Sequence, residues 1–260
     1  KLLGAIVLFQ DVTTQQQLDY MKTEFISLAS HQLRTPLSAI QWYLELLSTE
    51  NQDKLTEDQK SFIVEIRLAA RRMVNIMAEL MDASRLQQGG VAPMLKSVNL
   101  NTFVKNMADD LQSLAGDKDI VCSVDIPNDT VQLDTDPMLL SVILQNLMSN
   151  AVKYSRERGR VIIKLRKNSE GIRIDVSDDG IGIPHADQSR IFEKLFRAHN
   201  ARKLEVDGSG LGLYSSRLIA EKLGGTMSFV SEQDKGSTFT VLFPSYHATE
   251  EAAKGKKKKK

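Results

Sequence analysis

The hydrophobic positions in the first third of the chain recur at helical spacing. Between residues 15 and 48 they lie three or four residues apart, which predicts a helix with one buried stripe. The members of this stripe are Leu18, Met21, Phe25, Leu28, Leu37, Ile40, Leu44 and Leu47. The polar segment from Thr49 to Lys54 predicts a turn, and Thr56 with Gln59 forms a capping box that predicts the start of a second helix.

The second predicted helix carries a narrower stripe, in which steps of four and three residues alternate. Its members are Phe62, Ile66, Ala69, Met73, Ile76 and Leu80. This alternation is typical of a coiled-coil seam, and two antiparallel helices cannot bury a sustained seam by themselves. We therefore expect a long antiparallel helical hairpin that pairs with a second copy, giving a homodimer with a four-helix bundle.

A different pattern begins after the glycines at positions 89 and 90. Helical stretches are interleaved there with segments in which every second residue is apolar, the period of a half-buried strand. Helices are predicted at about Leu100 to Gly116 and Pro137 to Tyr154, and strands at Val121 to Ile126, Val161 to Lys167, Gly171 to Ser177, Thr226 to Ser231 and Thr238 to Phe243. Segregated helices and hairpin-like strands predict an α+β fold with an α/β sandwich.

These patterns divide the chain into four predicted regions. Residues 1–14 hold a short apolar strand and a linker, and residues 15–90 form the dimerisation hairpin. Residues 91–246 form the sandwich, and residues 247–260 form a lysine-rich tail. The tail is expected to be disordered, although its charge would also suit an anionic partner.

Composition narrows the class of protein. The 260 residues are 42% hydrophobic and 26% charged, which is ordinary for a globular chain with two cores. No apolar run approaches the roughly 20 residues that cross a bilayer, so we expect no membrane contact by this stretch of chain. The single cysteine, Cys122, excludes an internal disulfide framework and a cysteine-ligated zinc site. We expect a reducing, cytoplasmic compartment.

Net charge argues against a nucleic-acid partner. The formal value of +1 falls to −5 once the six lysines of the tail are set aside. A body of that charge lacks the excess of cations that nucleic-acid binding requires. We therefore expect no nucleic acid among the partners.

His31 is a candidate nucleophile in the first predicted helix. It lies among polar residues, with Thr35 four residues on and Pro36 five residues on. A single histidine is more often structural or exposed than reactive. On this segment alone, both interpretations stay open.

Four polar side chains share one face of the predicted helix that ends at Tyr154. They are three or four residues apart, and the apolar residues between them point away. The polar members are Asn146, Asn150, Lys153 and Tyr154, and the apolar ones are Leu144, Leu147 and Met148. Two amides and an ammonium group suit Mg²⁺ and phosphate oxygens, although a polar solvent face explains the same pattern.

Two glycine-containing loops are candidates for ligand binding. Asp178 ends a predicted strand and is followed by Gly180 and Gly182, so a ligand ring can approach the backbone while the carboxylate accepts a hydrogen bond from an exocyclic amine. The second loop, Asp207 to Tyr214, leads into a helix whose first N–H groups attract phosphate. A plain turn explains the first loop equally well. The second is weak evidence alone, and its spacing differs from a dinucleotide fingerprint.

Taken in order, these segments resemble the sensor histidine kinases, whose ATP-binding domain has the Bergerat fold. The resemblance covers about residues 15 to 245. The His31 segment is similar to the H box of that family, Asn146–Tyr154 to the N box, Asp178–Gly182 to the G1 box, Ile191–Arg197 to the F box, Gly208–Leu213 to the G2 box and Lys235–Phe239 to the last glycine box. The strand from Gly4 to Thr13 resembles the last strand of a PAS sensor module, which implies a longer parent protein.

The resemblance implies that the cofactors are ATP and Mg²⁺. Asn150 is implied to hold the metal, with Asn146 close to it, and Lys153 is implied to lie near the phosphates. Arg197 is a candidate for contact with the γ-phosphate, at the start of a lid that would end at Asp207.

The same resemblance implies how the adenosine is held. Asp178 would accept a hydrogen bond from the adenine amine, and Tyr154 would pack near the adenosine. The remaining implied nucleotide-binding positions are Gly180, Gly182, Gly208, Gly210, Leu211, Gly212, Leu213 and Thr238.

A reaction is also implied by the resemblance. ATP would phosphorylate His31, and the phosphoryl group would pass to an aspartate of a response-regulator receiver domain. Thr35 lies on the same helical face as His31 and is implied to serve a phosphatase activity toward that regulator. The alternative for Thr35 is a bond to helix carbonyls before Pro36.

Gln32 departs from the family, which usually has an acid directly after the histidine. An amide can accept a hydrogen bond from the imidazole but cannot take a proton or compensate charge. We therefore expect slow but real autophosphorylation.

Two alternatives remain. A signalling scaffold, or pseudokinase, would bind ATP and dimerise with weak autokinase activity, and Gln32 is its main support. A gyrase-like or chaperone-like Bergerat ATPase would lack the hairpin that carries His31. The resemblance leaves open whether the parent protein is anchored in a membrane upstream of Lys1.

Overall fold

The computed structural model describes residues 33, 36–49, 55–87, 92–115, 119–204 and 208–245. The chain divides into two compact units, Lys1–Val91 and Ala92–Lys260, and each is described by itself. Several predicted features lie outside the described residues. They are the strand within residues 1–14, the first predicted helix up to residue 35 apart from Leu33, the turn after Thr49, the tail at 247–260, and the site residues His31, Gln32 and Thr35.

The described part of the first unit consists of two helices. Helix α1 covers residues 36–49 and helix α2 covers Glu57–Gln87. The predicted capping box is confirmed, because the backbone N–H of Gln59 donates to the Thr56 hydroxyl (3.3 Å) and that of Thr56 donates to the Gln59 side-chain oxygen (2.9 Å). Among the helices that the structure describes, none is both long and apolar enough to cross a bilayer.

Helices α1 and α2 pack through one apolar stripe and leave another exposed. Leu37 lies in a buried cluster with Ala70 and Met77, and Val74 packs against it. The seam predicted for α2 is exposed within one chain at Phe62, Ile66, Met73 and Ile76. Within a single chain, α1 therefore packs against α2, while the predicted seam of α2 stays exposed to solvent.

The second unit contains a five-stranded sheet and a two-stranded sheet. The strands are β1 (Lys96–Asn99), β2 (Val121–Asp125), β3 (Gln132–Thr135), β4 (Arg160–Lys167), β5 (Gly171–Asp178), β6 (Thr226–Glu232) and β7 (Gly236–Pro244). The larger sheet has the order β2-β4-β5-β7-β6, in which β2 and β4 are parallel and the other neighbours are antiparallel. Strands β1 and β3 pair antiparallel with each other.

Helices α3 (Leu100–Ala115), α4 (Pro137–Tyr154) and α7 (Gly212–Lys222) pack on the larger sheet to form the predicted α/β sandwich. Two short helices, α5 (His185–Gln188) and α6 (His199–Leu204), lie between β5 and α7 along the chain. Helix α4 contacts α3, α7, β4 and β5, while α7 also contacts β6. Alternate strand residues such as Ile163, Ile174 and Val241 are fully buried, as expected for a sheet with one covered face.

Helix α4 begins at a cap that sets its register. The Asp136 carboxylate accepts hydrogen bonds from the N–H groups of Met138 (2.9 Å) and Leu139 (3.2 Å), and Pro137 occupies the first turn, where its missing N–H costs nothing. The Met94 N–H donates to the other carboxylate oxygen (2.9 Å), and this is the strongest influence that lowers the pKa of Asp136. The buried side of α4 comprises Leu140, Ile143, Leu144, Leu147, Met148, Ala151 and Val152.

Candidate nucleotide site

The loop after β5 is held against the end of α4. The Ile181 N–H donates to the Tyr154 carbonyl (3.1 Å). A Cβ added to Gly180 would lie 2.1 Å from that same carbonyl oxygen, so only glycine fits there. The close approach fixes where Asp178, the last residue of β5, lies relative to α4.

Asp178 carries a buried carboxyl. Its Oδ1 accepts hydrogen bonds from the N–H groups of Gly180 (3.0 Å) and Ser237 (3.3 Å). Burial is the largest influence on this group and raises the pKa of Asp178 to about 6. The group is therefore mainly ionised at neutral pH, and a carboxylate in such a place can accept a hydrogen bond from a ligand amine.

The predicted polar face of α4 is confirmed, since its apolar neighbours are buried on the other side. The amide Nδ2 of Asn150 donates to Oδ1 of Asn146 (3.4 Å), and Nδ2 of Asn146 donates to the hydroxyl of Ser216 on α7 (2.9 Å). Nearer the end of the helix, Lys153 Nζ lies 5.8 Å from the centroid of the Tyr154 ring. The face thus presents amides in its middle and a cation with an aromatic ring at its end.

The glycine-rich loop brings α7 close to α4. A Cβ added to Gly212 would lie 2.2 Å from Asn146 Oδ1. Gly210 has φ +71°, a left-handed conformation that favours glycine, and Leu211 is fully buried. No side chain caps α7, whose first turn includes Leu213, so its first N–H groups can donate hydrogen bonds to an anion.

The distance along α4 matches a ligand with a ring at one end and phosphates at the other. Tyr154, which contacts the Asp178 loop, is eight residues beyond Asn146, which contacts α7. At about 1.5 Å per residue the two contacts are about 12 Å apart along the helix. This is the order of the separation between the base and the outer phosphates of a nucleotide.

Arg197 bridges the two ends of the predicted lid. Its guanidinium donates to the carbonyls of Ala201 and Gly208, each at 3.2 Å. Residues 205–207 of the lid lie outside the described residues. The predicted γ-phosphate contact of Arg197 stays a prediction, and its guanidinium holds the start of the lid beside the glycine-rich loop.

Asn200 is a residue that sequence reasoning missed. It lies in α6, within the predicted lid, and its Nδ2 donates to the carbonyls of Gly182 (2.8 Å) and Ile181 (3.3 Å). A Cβ on Gly182, which has φ +58°, would lie 2.0 Å from the Glu232 carbonyl oxygen. The lid is therefore attached directly to the loop that follows Asp178. An amide three residues after the basic Arg197 was the only local signal.

Thr238 lies on the opposite face of the sheet from Asp178. Its hydroxyl donates to Ser177 (2.9 Å), and successive strand residues point to opposite faces. In the register of β5 and β7, Asp178 pairs with Ser237, whose N–H contacts the carboxylate. Sequence reasoning chose Thr238, whereas the structure brings Ser237 next to the buried carboxyl.

Two family models match the chain. The histidine kinase-, DNA gyrase B- and HSP90-like ATPase model matches residues 135–247. The His Kinase A (phospho-acceptor) domain model matches residues 21–89. Between them they account for most of the chain and fall on the two compact units.

Curated relatives carry names of one kind. The sensor-like histidine kinase SenX3 of Mycobacterium tuberculosis is 34% identical over 250 residues, which cover 95% of this chain and 60% of the relative. The sensor protein kinase WalK of Staphylococcus epidermidis is 31% identical over 244 residues, which cover 93% of this chain and 39% of the relative. The chain thus spans between about two fifths and three fifths of these relatives.

Solved structures share the fold. Full-length ShkA in complex with AMPPNP aligns with a TM-score of 0.67 and 25% identity, over 85% of this chain and 46% of that one. The Acinetobacter baumannii histidine kinase AdeS aligns with a TM-score of 0.58 and 20% identity, over 82% of this chain and 97% of that one.

Proposed function

The chain belongs to the sensor histidine kinase family, and on that premise we propose that it uses ATP to phosphorylate His31 and passes the phosphoryl group to an aspartate of a response-regulator receiver domain. The observation that carries the proposal is the alignment along α4 of the Asp178 loop with the amide face and the uncapped start of α7. An adenine nucleotide suits this arrangement, with its base at the Asp178 loop and its phosphates at the start of α7.

Adenine is the base that the Asp178 end favours. The amine of adenine donates to a carboxylate, whereas the carbonyl oxygen of guanine at the same position would be repelled by it. Gly180 and Gly182 leave the backbone open to a flat ring. The complex of the relative ShkA with AMPPNP supports the same choice of ligand.

The amide face suits a magnesium ion bound with the nucleotide. Mg²⁺ prefers oxygen ligands and is usually held by one or two protein oxygens together with substrate phosphates and water. The amide oxygen of Asn150 would supply a ligand of that kind, Asn146 lies close to it, and Lys153 would add a positive charge for the phosphates. When bound, the ion would neutralise charge on the transferred group.

The chain's own residues mainly position the reaction. The Nε2 lone pair of His31 attacks the γ-phosphorus, the bond from phosphorus to the bridging oxygen breaks, and ADP leaves with that electron pair. Gln32 can accept a hydrogen bond from the imidazole Nδ1–H but cannot take its proton. Positioning and charge neutralisation account for most of phosphoryl transfer, so we expect the reaction to proceed. We expect it to be slow, because Gln32 cannot take the proton. Thr35 would act in dephosphorylation of the regulator.

The helical hairpin would dimerise. Its exposed apolar seam on α2, at Phe62, Ile66, Met73 and Ile76, supports pairing with a second copy into a four-helix bundle. The dimer would present two His31 side chains.

The second candidate function is an ATP-binding scaffold with weak autokinase activity, which Gln32 favours. Incubation with γ-labelled ATP distinguishes the two, with His31→Ala as the control. Label that is acid-labile, base-stable and lost in His31→Ala supports the kinase. Nucleotide binding without such label supports the scaffold, and label that persists in His31→Ala would contradict the assignment of His31.

A further inference from the structure

Helix α6 depends on contacts with other elements for its position. It has only six residues, none of which is buried, and isolated helices shorter than about 12 residues are marginal in water. The Asn200 side chain attaches it to the loop after β5, because its Nδ2 donates to the carbonyls of Gly182 (2.8 Å) and Ile181 (3.3 Å). This amide is therefore a main determinant of where α6 lies.

The partners of the Asn200 amide allow only one orientation of it. The two carbonyl oxygens can only accept hydrogen bonds. The third partner, the backbone N–H of Ala201, can only donate, and it donates to Asn200 Oδ1 (2.9 Å). A flipped amide would set its oxygen against two carbonyl oxygens and its NH₂ group against an N–H. The side chain is thus held at both of its polar ends.

The loop that Asn200 contacts is fixed by other bonds as well. The Ile181 N–H donates to the Tyr154 carbonyl (3.1 Å), and the Ile181 carbonyl also accepts from the N–H of Asp234 in the turn between β6 and β7 (2.8 Å). The loop therefore keeps its place without Asn200. It follows that Asn200 positions α6 on the loop, and not the loop on α6.

Helix α6 in turn holds Arg197. The Arg197 Nη2 donates to the carbonyl of Ala201 (3.2 Å), the same residue whose N–H is bonded to Asn200. The Nε of Arg202 donates to the Arg197 carbonyl (3.0 Å). Both the guanidinium and the backbone of Arg197 are thus tied to α6. A continuous series of contacts leads from the loop after β5, through Asn200, to Arg197.

We propose that Asn200 is a positioning residue, which holds the Arg197 guanidinium ready for the outer phosphate of a nucleoside triphosphate and so favours a triphosphate over a diphosphate. The inference rests on the proposed function, because it requires the predicted contact of Arg197 with the γ-phosphate. Ordering a long side chain during binding costs affinity, and a side chain that is already held avoids much of that cost.

The test measures the dissociation constants of a non-hydrolysable ATP analogue and of ADP by calorimetry, on the whole chain with MgCl₂. Asn200→Ala should raise the constant for the ATP analogue about three- to tenfold, the effect of losing one or two hydrogen bonds. It should raise the constant for ADP less than about twofold, because ADP has no γ-phosphate and the loop after β5 keeps its other bonds.

His199→Ala is the matched control for this measurement. It removes an exposed side chain from the preceding position of α6 and keeps the backbone N–H, which donates to Asp187 Oδ2 (2.8 Å). It should change neither constant.

A double variant tests whether Asn200 acts through Arg197. Arg197→Ala should weaken binding of the ATP analogue more than binding of ADP. Adding Asn200→Ala to it should change the constant for the ATP analogue less than about twofold further, because the effects of two residues in one network do not add. Full additivity would show that Asn200 acts independently of Arg197 and would overturn the inference.

The remaining outcomes are also decisive. Equal weakening of both nucleotides by Asn200→Ala would mean that the side chain supports only the fold of the site, and unchanged affinity for both would mean that its hydrogen bonds are dispensable. If the wild type binds neither nucleotide, the proposed function fails as well. If Arg197→Ala weakens the ATP analogue selectively and Asn200→Ala does not, only the positioning role fails.

Discussion

At the scale of single residues, the buried Asp178 carboxyl affects the stability of the fold and is also the proposed partner of a ligand amine. Its burial raises its pKa to about 6 even though two backbone N–H groups donate to it. The native protein therefore holds a charge in a place that disfavours charge. The amine of the proposed ligand would compensate for that cost.

Asp178→Asn should stabilise the ligand-free protein more at neutral pH than in acid. The unfolded pKa is near 3.9, so the native state binds more protons between about pH 4 and 6. Stability from this group is present below that window and is lost as the pH rises through it. In urea unfolding, the variant's gain over wild type should be larger near pH 7.5 than near pH 4.5 by about 2 kcal/mol. Asp129→Asn, at an exposed position, should show no such difference.

Gln32→Glu should accelerate autophosphorylation. A carboxylate next to His31 would hold the imidazole N–H and compensate the developing positive charge, and general acid–base assistance is typically worth about 10²-fold or more. The initial rate of phosphohistidine formation should rise by at least about tenfold. A variant no faster than wild type, with unchanged ATP affinity, would show that the missing acid does not limit the rate.

Local residue patterns predicted the residues of the candidate site better than they predicted the contacts between those residues. Asp178, Gly180 and the polar face of α4 were predictable, because an acid at a strand end and residues three or four apart are short-range signals. Ser237 and Ser216 were not, because each matters only through a partner more than fifty residues away. The role of Thr238 stays a prediction, since strand alternation alone does not say which of two neighbouring residues lies on the same face as Asp178.

At the scale of elements, the approach of α4 and α7 depends on the absence of a side chain. A Cβ at Gly212 would overlap Asn146 Oδ1 at 2.2 Å, whereas a Cβ at Gly208 would be 3.3 Å from Arg197, whose long side chain can shift. The two glycines are four residues apart, but only Gly212 lies at the contact between α7 and α4. The loop therefore combines a packing requirement with its proposed role toward phosphate.

Gly212→Ala should destabilise the second unit, and Gly208→Ala should not. Overpacking in a close helix contact costs about 1–3 kcal/mol, and this should appear as a lower free energy of unfolding for Gly212→Ala. Gly208→Ala should lie within about 0.5 kcal/mol of wild type. Equal values for the two variants would mean that α7 moves away from α4 without cost.

The helical hairpin shows how one sequence stripe serves two contacts. The sequence assigned Leu37, Ile40, Leu44 and Leu47 to one face of α1, but Leu37 and Leu44 are buried while Ile40 and Leu47 are exposed. Periodicity gives the width of an apolar stripe. Only the position of α2 decides which residues of the α1 stripe pack within the chain and which stay exposed for a proposed partner.

At the scale of the whole molecule, the proposed dimer is what would cover the remaining apolar surface. Ile66 belongs to the predicted seam of α2 and is 49% exposed, while Leu68 lies outside the seam and is 42% exposed. The two residues are alike in chemistry, helix and exposure. They differ in the face of α2 that they occupy.

Ile66→Glu should therefore dissociate the dimer, and Leu68→Glu should not. A carboxylate in a dry helix interface is costly because it loses its water without a partner. Light scattering after gel filtration should give the mass of a monomer for Ile66→Glu and that of a dimer for wild type and Leu68→Glu. Dissociation by Leu68→Glu alone would place the interface on the other face of α2.

The sequence by itself determined the long helices and strands and the candidate site residues of this protein, because these depend on neighbours along the chain. The capping box at Thr56, the seam of α2, the α4 face and the loop after Asp178 are all written within about twenty residues each. The two short strands β1 and β3 were not predicted, since four residues carry too little periodicity and their pairing joins distant segments.

Tertiary structure alone decided which of those residues meet. The register of β5 with β7 placed Ser237 opposite Asp178, and the packing of α7 on α4 gave Asn146 its partner Ser216. It also attached Asn200 of the lid to the loop at Gly182. Such contacts depend on the packing of helices on the sheet and on the register of neighbouring strands, and no local sequence pattern determines either of them.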